Sequence, residues 1–267
     1  MVSTIETNQS PSEPVSPAVP FPKSVPPMTS YPISALARLE NMGLNPPTAK
    51  VVQAKLAALS QTQLLRMLQE TQLAAQVKPP SLALFRSMPF RTHKTQHSKL
   101  LVLDLDDTLV HTGASGDFEV QLGVHSRRVS VRPYACEFLK EASHIFEIAI
   151  YTASEAVYAD QVLNQLDPTG LLLQHRVYRE SCLQAGSFVF KDLRVFSSFA
   201  LKDIVMVDNS MFGYAFQRAN GVPVSTWTGN KEDSELLLLM SYLRLLAPLA
   251  DVRPFNSAVF SPLYQLH

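Results

Sequence analysis

Asp104, Asp106 and Asp107 follow an apolar run, Leu101-Val102-Leu103, in a stretch that reads LVLDLDDTLVHT through Thr112. A short apolar run bounded by polar residues predicts a strand, and here the acids begin at its C-terminal end. That edge is where open α/β sheets bind their ligands. Asp104 and Asp106 are two apart, so along an extended chain their side chains leave on the same face. Two carboxylates on one face are unfavourable without a positive partner. A divalent metal and a phosphoryl group under attack would justify them. A lone DxD reads as a solvated turn, but three aspartates in four positions with apolar chain on both sides read as a site.

Two more segments have the same form. Ile148-Ala149-Ile150-Tyr151 runs into Thr152-Ala153-Ser154, and Ile204-Val205-Met206-Val207 runs into Asp208-Asn209-Ser210. Between them lies Lys191-Asp192, behind Phe188-Val189-Phe190. In a parallel sheet all three polar ends open at one edge. Phosphoryl transfer needs a nucleophile, a metal, hydroxyl or amide donors and a cation for the equatorial oxygens, and each has a candidate here. Taken singly, Thr152 reads as a helix N-cap, Lys191 as a surface lysine and Asp208-Asn209 as a turn. Their joint order and location are the specific signal.

Several elements must position these residues. Lys99–Leu105, Phe146–Tyr151, Asp203–Val207 and Val222–Ser225 are expected strands, with a short one near Val177. Helices are expected from Pro133 to about Ser143, Glu155 to Leu166 and Glu235 to Leu246. Strand–helix alternation of this kind predicts a parallel α/β sheet. Phe118–Leu122 and Arg127–Val131 flank a Gly123-Val124-His125 turn, an expected β-hairpin inserted over the active edge. Upstream, Ile33–Leu39 reads as a short helix. Thr48 caps a second helix through Ala58 and Ser60 a third, with Leu64, Leu65, Met67 and Leu68 at helical spacing. These divide the chain into a Pro/Ser-rich tail over 1–32, a helical appendage over 33–80, a basic linker over 81–98, the α/β domain over 99–255 and a tail over 256–267.

Composition bounds the rest. The 267 residues are 46% hydrophobic and 17% charged, enough to bury a sizeable core. Formal net charge is zero, so no global field draws the chain to nucleic acid or to an anionic membrane. Eight of the 19 prolines fall in residues 1–32, which predicts a disordered segment with polyproline-II character. Cys136 and Cys182 fit no metal-spaced motif and are expected as free thiols in a reducing compartment. No stretch is long and apolar enough to span a membrane, and Leu236–Ala250 is broken by Arg244 and Pro248. The first 14 residues hold Glu6 and Glu13 without Lys or Arg, unlike a secretory or transit leader. An intracellular protein of the nucleus or cytoplasm is expected.

From Lys99 to about Phe255 the chain resembles the haloacid-dehalogenase superfamily, and more closely the small phosphatases that act on the C-terminal domain of RNA polymerase II. The resemblance is carried by DLDDTLVH (104–111), RPYACEFL (132–139), IYTASEAVYAD (150–160), RVYRESC (176–182), FVFKDL (188–193), VDNS (207–210) and GVPVSTW (221–227). It implies a Rossmann-like parallel sheet with helices on both faces, and a phosphoprotein phosphatase. By the same resemblance Asp104 is the nucleophile that forms an aspartyl-phosphate, and Asp106 the general acid and then base. Thr152, Ala153 and Arg179 contact the phosphoryl oxygens and Lys191 neutralises them. Mg²⁺ is held by the Asp104 carboxylate, the Asp106 backbone carbonyl and Asn209, with Asp208 beside it. Thr108 holds the loop by hydrogen bonding. The implied partner is a phosphorylated protein of Ser/Thr-Pro type.

Some positions depart from the family pattern. Asp107 replaces the usual Glu, and Met211 stands where Pro commonly follows DNS. KDLRVFSS lacks the usual small residues after KDL. The insertion from Thr112 to Val131 is shorter than in the polymerase-tail phosphatases, where it helps form an apolar pocket for a proline beside the phosphoserine. Two other readings remain at this point: a small-molecule phosphatase, and a catalytically idle adaptor of the same fold. The intact Asp104, Asp106, Thr152, Lys191 and Asn209 speak for the enzyme.

Overall fold

Four consecutive apolar residues, Leu100–Leu103, form strand β1, and all four are buried. A strand apolar on both faces must lie inside a sheet covered on both sides. The computed structural model describes residues 46–81, 97–173 and 175–261. The Pro-rich 1–32 segment, the helix expected at 33–39 and most of the basic linker lie outside the described residues.

Helices α1 (Pro46–Ala57) and α2 (Gln61–Ala74) precede the sheet. The first begins two residues before the expected Thr48 cap. Proline is tolerated in a first turn because its missing N–H would find no partner there. Ser60 caps α2, its hydroxyl accepting from the Gln63 amide at 3.2 Å. Beyond β1 come β2 (Val110–Gly113), β3 (Phe118–Leu122) and β4 (His125–Val131), then α3 (Ala135–Ser143), β5 (Glu147–Tyr151), α4 (Ala156–Leu166) and β6 (His175–Val177). The chain continues through β7 (Leu183–Ala185), β8 (Phe188–Phe190), β9 (Ile204–Asp208), β10 (Gly221–Pro223), α5 (Glu235–Leu246) and α6 (Arg253–Phe260).

The central sheet has five strands in the order β10-β9-β1-β5-β6, and every pairing is parallel. Leu103 stands opposite Ile150 on one side and Val207 on the other. The chain therefore leaves β1, β5 and β9 at nearly the same height, and their polar continuations converge. Connections run outward from β1 to β5 and β6, then return to β9 and β10. That reversal beside β1 is the topological switch point at which such sheets form a crevice.

The insertion is larger than the expected hairpin. Strand β2 pairs with β4, so β2, β4 and β3 make an antiparallel three-stranded sheet. It leans on α4, where the Gln121 amide donates to Gln161 Oε1 at 2.9 Å. A further two-stranded unit, β7 with β8, was not expected from the sequence. Three-residue strands carry too little alternation to register as strands by period.

Both ends of the described chain join the same core. Val52, Leu56, Leu59, Leu64 and Met67 pack in one continuous cluster with the sheet residues. Buried Lys55 on α1 donates to the Pro223 carbonyl at 2.7 Å and pairs with Glu235 at the start of α5. At the other end, α6 crosses the boundary expected at 255 and buries Phe255, Asn256, Val259 and Phe260. Its apolar positions recur at helical spacing, and the Tyr242 hydroxyl anchors it on Asn256 Oδ1 at 2.8 Å.

Candidate active site

Asp104 is the first residue past β1 and its amide continues the ladder, donating to the Val207 carbonyl at 2.9 Å. The next residues leave the strand in a tight loop. The Leu109 amide donates back to the Leu105 carbonyl at 2.9 Å, and Asp107 adopts a left-handed backbone with φ 58°. Aspartate tolerates that conformation because its short polar side chain bonds locally. Here Asp107 Oδ1 meets His111 Nδ1 at 2.7 Å. Buried Arg132 fastens the loop from behind, donating to the Thr108 carbonyl at 3.0 Å, to Ser225 Oγ at 2.9 Å and to both Asp233 oxygens at 2.8 and 3.0 Å.

The two carboxylates are held by different partners. Asp104 accepts from the Thr108 hydroxyl at 3.0 Å on Oδ2 and from Lys191 Nζ at 2.6 Å on Oδ1. Asp106 accepts from the Ser154 hydroxyl at 2.7 Å and from the Tyr158 hydroxyl at 2.7 Å. Burial pushes the Asp106 carboxyl above its ordinary value, the Tyr158 and Ser154 bonds oppose this, and the Asp104 and Asp107 charges add to it. A carboxyl held toward its protonated form at a cleft wall is what a general acid requires.

Lys191 follows β8 and is buried. Its ammonium lies between two carboxylates, 2.6 Å from Asp104 Oδ1 and 2.7 Å from Asp208 Oδ2. Burial alone would lower it, but Asp104 and then Asp208 hold it charged, above the ordinary lysine value. Burial, with the Asp104 charge beside it, pushes Asp208 upward. Gly213 permits the approach of Asp208, since a Cβ there would fall 2.0 Å from Asp208 Oδ2.

Thr152 continues β5 and is buried, its hydroxyl accepting from the Ser154 amide at 3.0 Å. It is thus a turn partner within the loop, while Glu155 occupies the cap position of α4. Asn209 leaves β9 with Asp208 and donates from Nδ2 to Thr226 Oγ1 at 3.2 Å. The exposed Arg179 donates to the Ala153 carbonyl at 3.1 Å. A cavity of about 360 Å³ gathers Asp104, Asp106, Thr152, Ala153, Arg179, Lys191, Asp208 and Asn209. Every site residue expected from the sequence therefore lines one cleft, together with Ser154, Val189, Ser210, Phe212 and Gly213. No residue of β2, β3 or β4 is among its walls.

The donor set suits a hard cation. Asp104 and Asp208 supply carboxylates, Asn209 an amide oxygen and Asp106 a backbone carbonyl, all oxygen ligands of the kind Mg²⁺ takes. Two buried carboxylates share one ammonium, which leaves negative charge over. Among the described residues no three His, Cys, Asp or Glu side chains form a metal-binding group, and two of the four oxygens named here come from an amide and the backbone.

Residues missed in the sequence include Tyr158 and Ser154. Both lie inside the TASEAVYAD run, Ser154 in the loop before α4 and Tyr158 in its first turn. Glu70 and Arg66, which reach the Asn209 loop from α2, carried no signal at all.

The family model of the NLI interacting factor-like phosphatases matches residues 99–253, more than half of the chain. The chain belongs to that family. Among curated proteins it is 39% identical over 200 residues to a Dictyostelium discoideum "CTD small phosphatase-like protein 2", covering 72% of this chain and 34% of that protein. It is 38% identical over 163 residues to the human "CTD small phosphatase-like protein", covering 58% of each. The chain thus spans between a third and three fifths of these relatives' length. Among solved structures, "Fcp1, an essential RNA polymerase II CTD phosphatase" aligns at 21% identity and TM-score 0.42, over 62% of this chain and 49% of that one. Among the described residues, no helix is long and apolar enough to cross a membrane.

Proposed function

We propose that this chain is a Mg²⁺-dependent phosphoprotein serine/threonine phosphatase working through an aspartyl-phosphate, in the nucleus or cytoplasm. The observation that carries the reading is the Lys191 ammonium bonded to both Asp104 and Asp208 at the sheet edge, with Asp106 held separately by two hydroxyls in the same cleft.

Asp104 attacks phosphorus through a carboxylate oxygen, and the bond from phosphorus to the seryl or threonyl oxygen breaks. Asp106 gives its proton to that departing oxygen. It then takes a proton from water as the water attacks the aspartyl-phosphate, releasing orthophosphate and restoring Asp104. Lys191, the Thr152 hydroxyl, the Ala153 neighbourhood and Arg179 meet the charge on the phosphoryl oxygens. Asp104, the Asp106 carbonyl and Asn209 would hold Mg²⁺, with Asp208 beside them. When bound, the cation neutralises phosphoryl charge and orients it toward Asp104.

The substrate class follows from access. The cleft walls exclude the three-stranded insertion, which leans on α4. A cleft that the insertion leaves open suits a phosphorylated residue on an extended protein segment better than a small metabolite. The relatives' printed names, among them a human "Carboxy-terminal domain RNA polymerase II polypeptide A small phosphatase 2", support a polymerase C-terminal-domain substrate, and a Ser/Thr-Pro site is the segment this reading assigns to it. The test is Mg²⁺-dependent phosphate release from a phosphoserine peptide panel that includes polymerase-tail heptads. Turnover lost on chelation and in Asp104→Asn is expected. A folded protein that binds Mg²⁺ and hydrolyses nothing would reject the enzyme.

A further inference from the structure

Helix α2 lies outside the matched segment 99–253, yet it reaches the catalytic edge. Leu64 and Met67 sink one side of it into the core, which fixes where its other side points. That side presents Arg66 and Glu70, one turn apart, to the loop Asp208-Asn209-Ser210-Met211. Glu70 Oε2 accepts from the Ser210 hydroxyl at 3.0 Å and from the Met211 amide at 2.7 Å. The Arg66 guanidinium donates to the backbone carbonyl of Asn209. Arg66 and Glu70 also pair with each other at 3.5 Å. Three consecutive loop residues are thus gripped by two side chains of one helix.

We propose that Glu70 and Arg66 are positioning residues of the active site, holding the Asp208–Met211 loop so that Asn209 and Asp208 face the cation. This rests on the metal-dependent reading above. Neither residue lines the cleft. A partly exposed ion pair between Arg66 and Glu70 contributes little to stability by itself. Charged bonds to the carbonyl of the ligand residue Asn209 and to the amide two residues on, in contrast, restrict where that ligand points. The Met211 amide is the most telling partner. It closes the loop, and the carboxylate of Glu70, 141 residues upstream, accepts its hydrogen.

Expected for Glu70→Ala are an affinity for Mg²⁺ about ten-fold weaker by calorimetry, faster hydrogen exchange at the Met211 amide, and a lower kcat at unchanged KM. Glu70→Gln keeps an acceptor for that amide and should recover most of the affinity. Met211→Pro supplies an independent check. Ser210 has φ −119° and ψ 141°, the backbone a following proline requires, and Met211 begins a short 3₁₀ turn. With the amide gone and the loop stiffened, Glu70→Ala should change affinity less than it does alone. Should Glu70→Ala fail to fold, Arg66→Met carries the same readouts. Metal affinity and loop exchange within two-fold of wild type would overturn the inference. So would a lower melting temperature with the folded protein's affinity unchanged. A wild type that turns over normally beside an unaffected variant rejects this inference alone. Loss of Mg²⁺ binding in Glu70→Ala, with a wild type that hydrolyses no phosphopeptide, rejects the proposed function alone.

Discussion

The Tyr158 hydroxyl donates to Asp106 Oδ1 at 2.7 Å, across 52 residues of chain, while Thr112 on β2 meets the same hydroxyl at 2.9 Å. The inserted sheet, helix α4 and the acid loop therefore share one hydrogen-bonded chain. Asp106 is aimed by it, while burial raises its carboxyl above the ordinary value against the pull of the Tyr158 bond.

This chain predicts how leaving groups separate the roles. Asp106→Asn should slow aspartyl-phosphate formation from a phosphoserine peptide by roughly 10²–10⁴-fold, and much less from an aryl phosphate, whose departing oxygen needs no proton, while hydrolysis of the intermediate slows alike for both. Tyr158→Phe should show the same ordering with a smaller loss. Equal losses in the first step on both substrates, read from pre-steady-state release of the leaving group, would remove Asp106 from its role as the acid.

Lys191→Met leaves Asp104 and Asp208 facing each other without the ammonium. Breaking a buried charge pair by removing one partner costs about 3–5 kcal/mol. The melting temperature of the metal-free variant should fall accordingly, and added Mg²⁺ should restore part of it, because a divalent cation replaces the lost charge. Activity should not return, since the phosphoryl oxygens lose their cation. Thermal scans with and without Mg²⁺ test this.

Asp167 ends α4 and caps the following turn, accepting from the Leu172 and Leu173 amides at 2.8 and 2.9 Å and from the Thr169 hydroxyl at 2.8 Å. Burial alone would raise its carboxyl, but the Leu173 amide, the Thr169 hydroxyl and the Leu172 amide outweigh it and hold the group below the ordinary carboxylate value. The folded-state value is lower than the unfolded one, so the stabilisation is full above the unfolded carboxylate range. It is lost as pH falls through the depressed value. Asp167→Ala should lower stability by about 1.5–3 kcal/mol at neutral pH, with the gap to wild type closing in strong acid. Urea titrations across pH check the sign.

Lys55 and Glu235 tie α1 to α5 in the dry interior. Lys55→Met should destabilise by about 3–5 kcal/mol because Glu235 is left buried and alone. Adding Glu235→Leu should recover most of that. Removing residues 1–81 should do more, since it strips from the shared core the part that Val52, Leu56, Leu59, Leu64 and Met67 fill and uncovers α5. Loss of soluble, cooperatively unfolding protein is expected, measured by chromatography and calorimetry.

Much of the central sheet was legible because its strands are short apolar runs ending abruptly in polar residues. LVLDLDD, IYTAS and VDNS each mark their own strand end, and parallel pairing of equal-height strands brings those ends together. The reactive groups thus travel with local motifs. Strands β7 and β8 escaped because three residues show no period, and α6 because its burial depends on Tyr242 in another helix.

What the sequence by itself determined is which groups stand at the sheet edge, since backbone period and strand termination are local properties. Only the tertiary structure decided what steadies them. Glu70 meets Ser210 across 140 residues and Lys191 meets Asp104 across 87. The spacing of apolar residues in α2 specifies that one side will be buried, yet it does not name the loop that the opposite side will touch. That pairing is set by how α1 and α2 seat their apolar residues in the core of the sheet, a packing outcome that neither segment encodes alone.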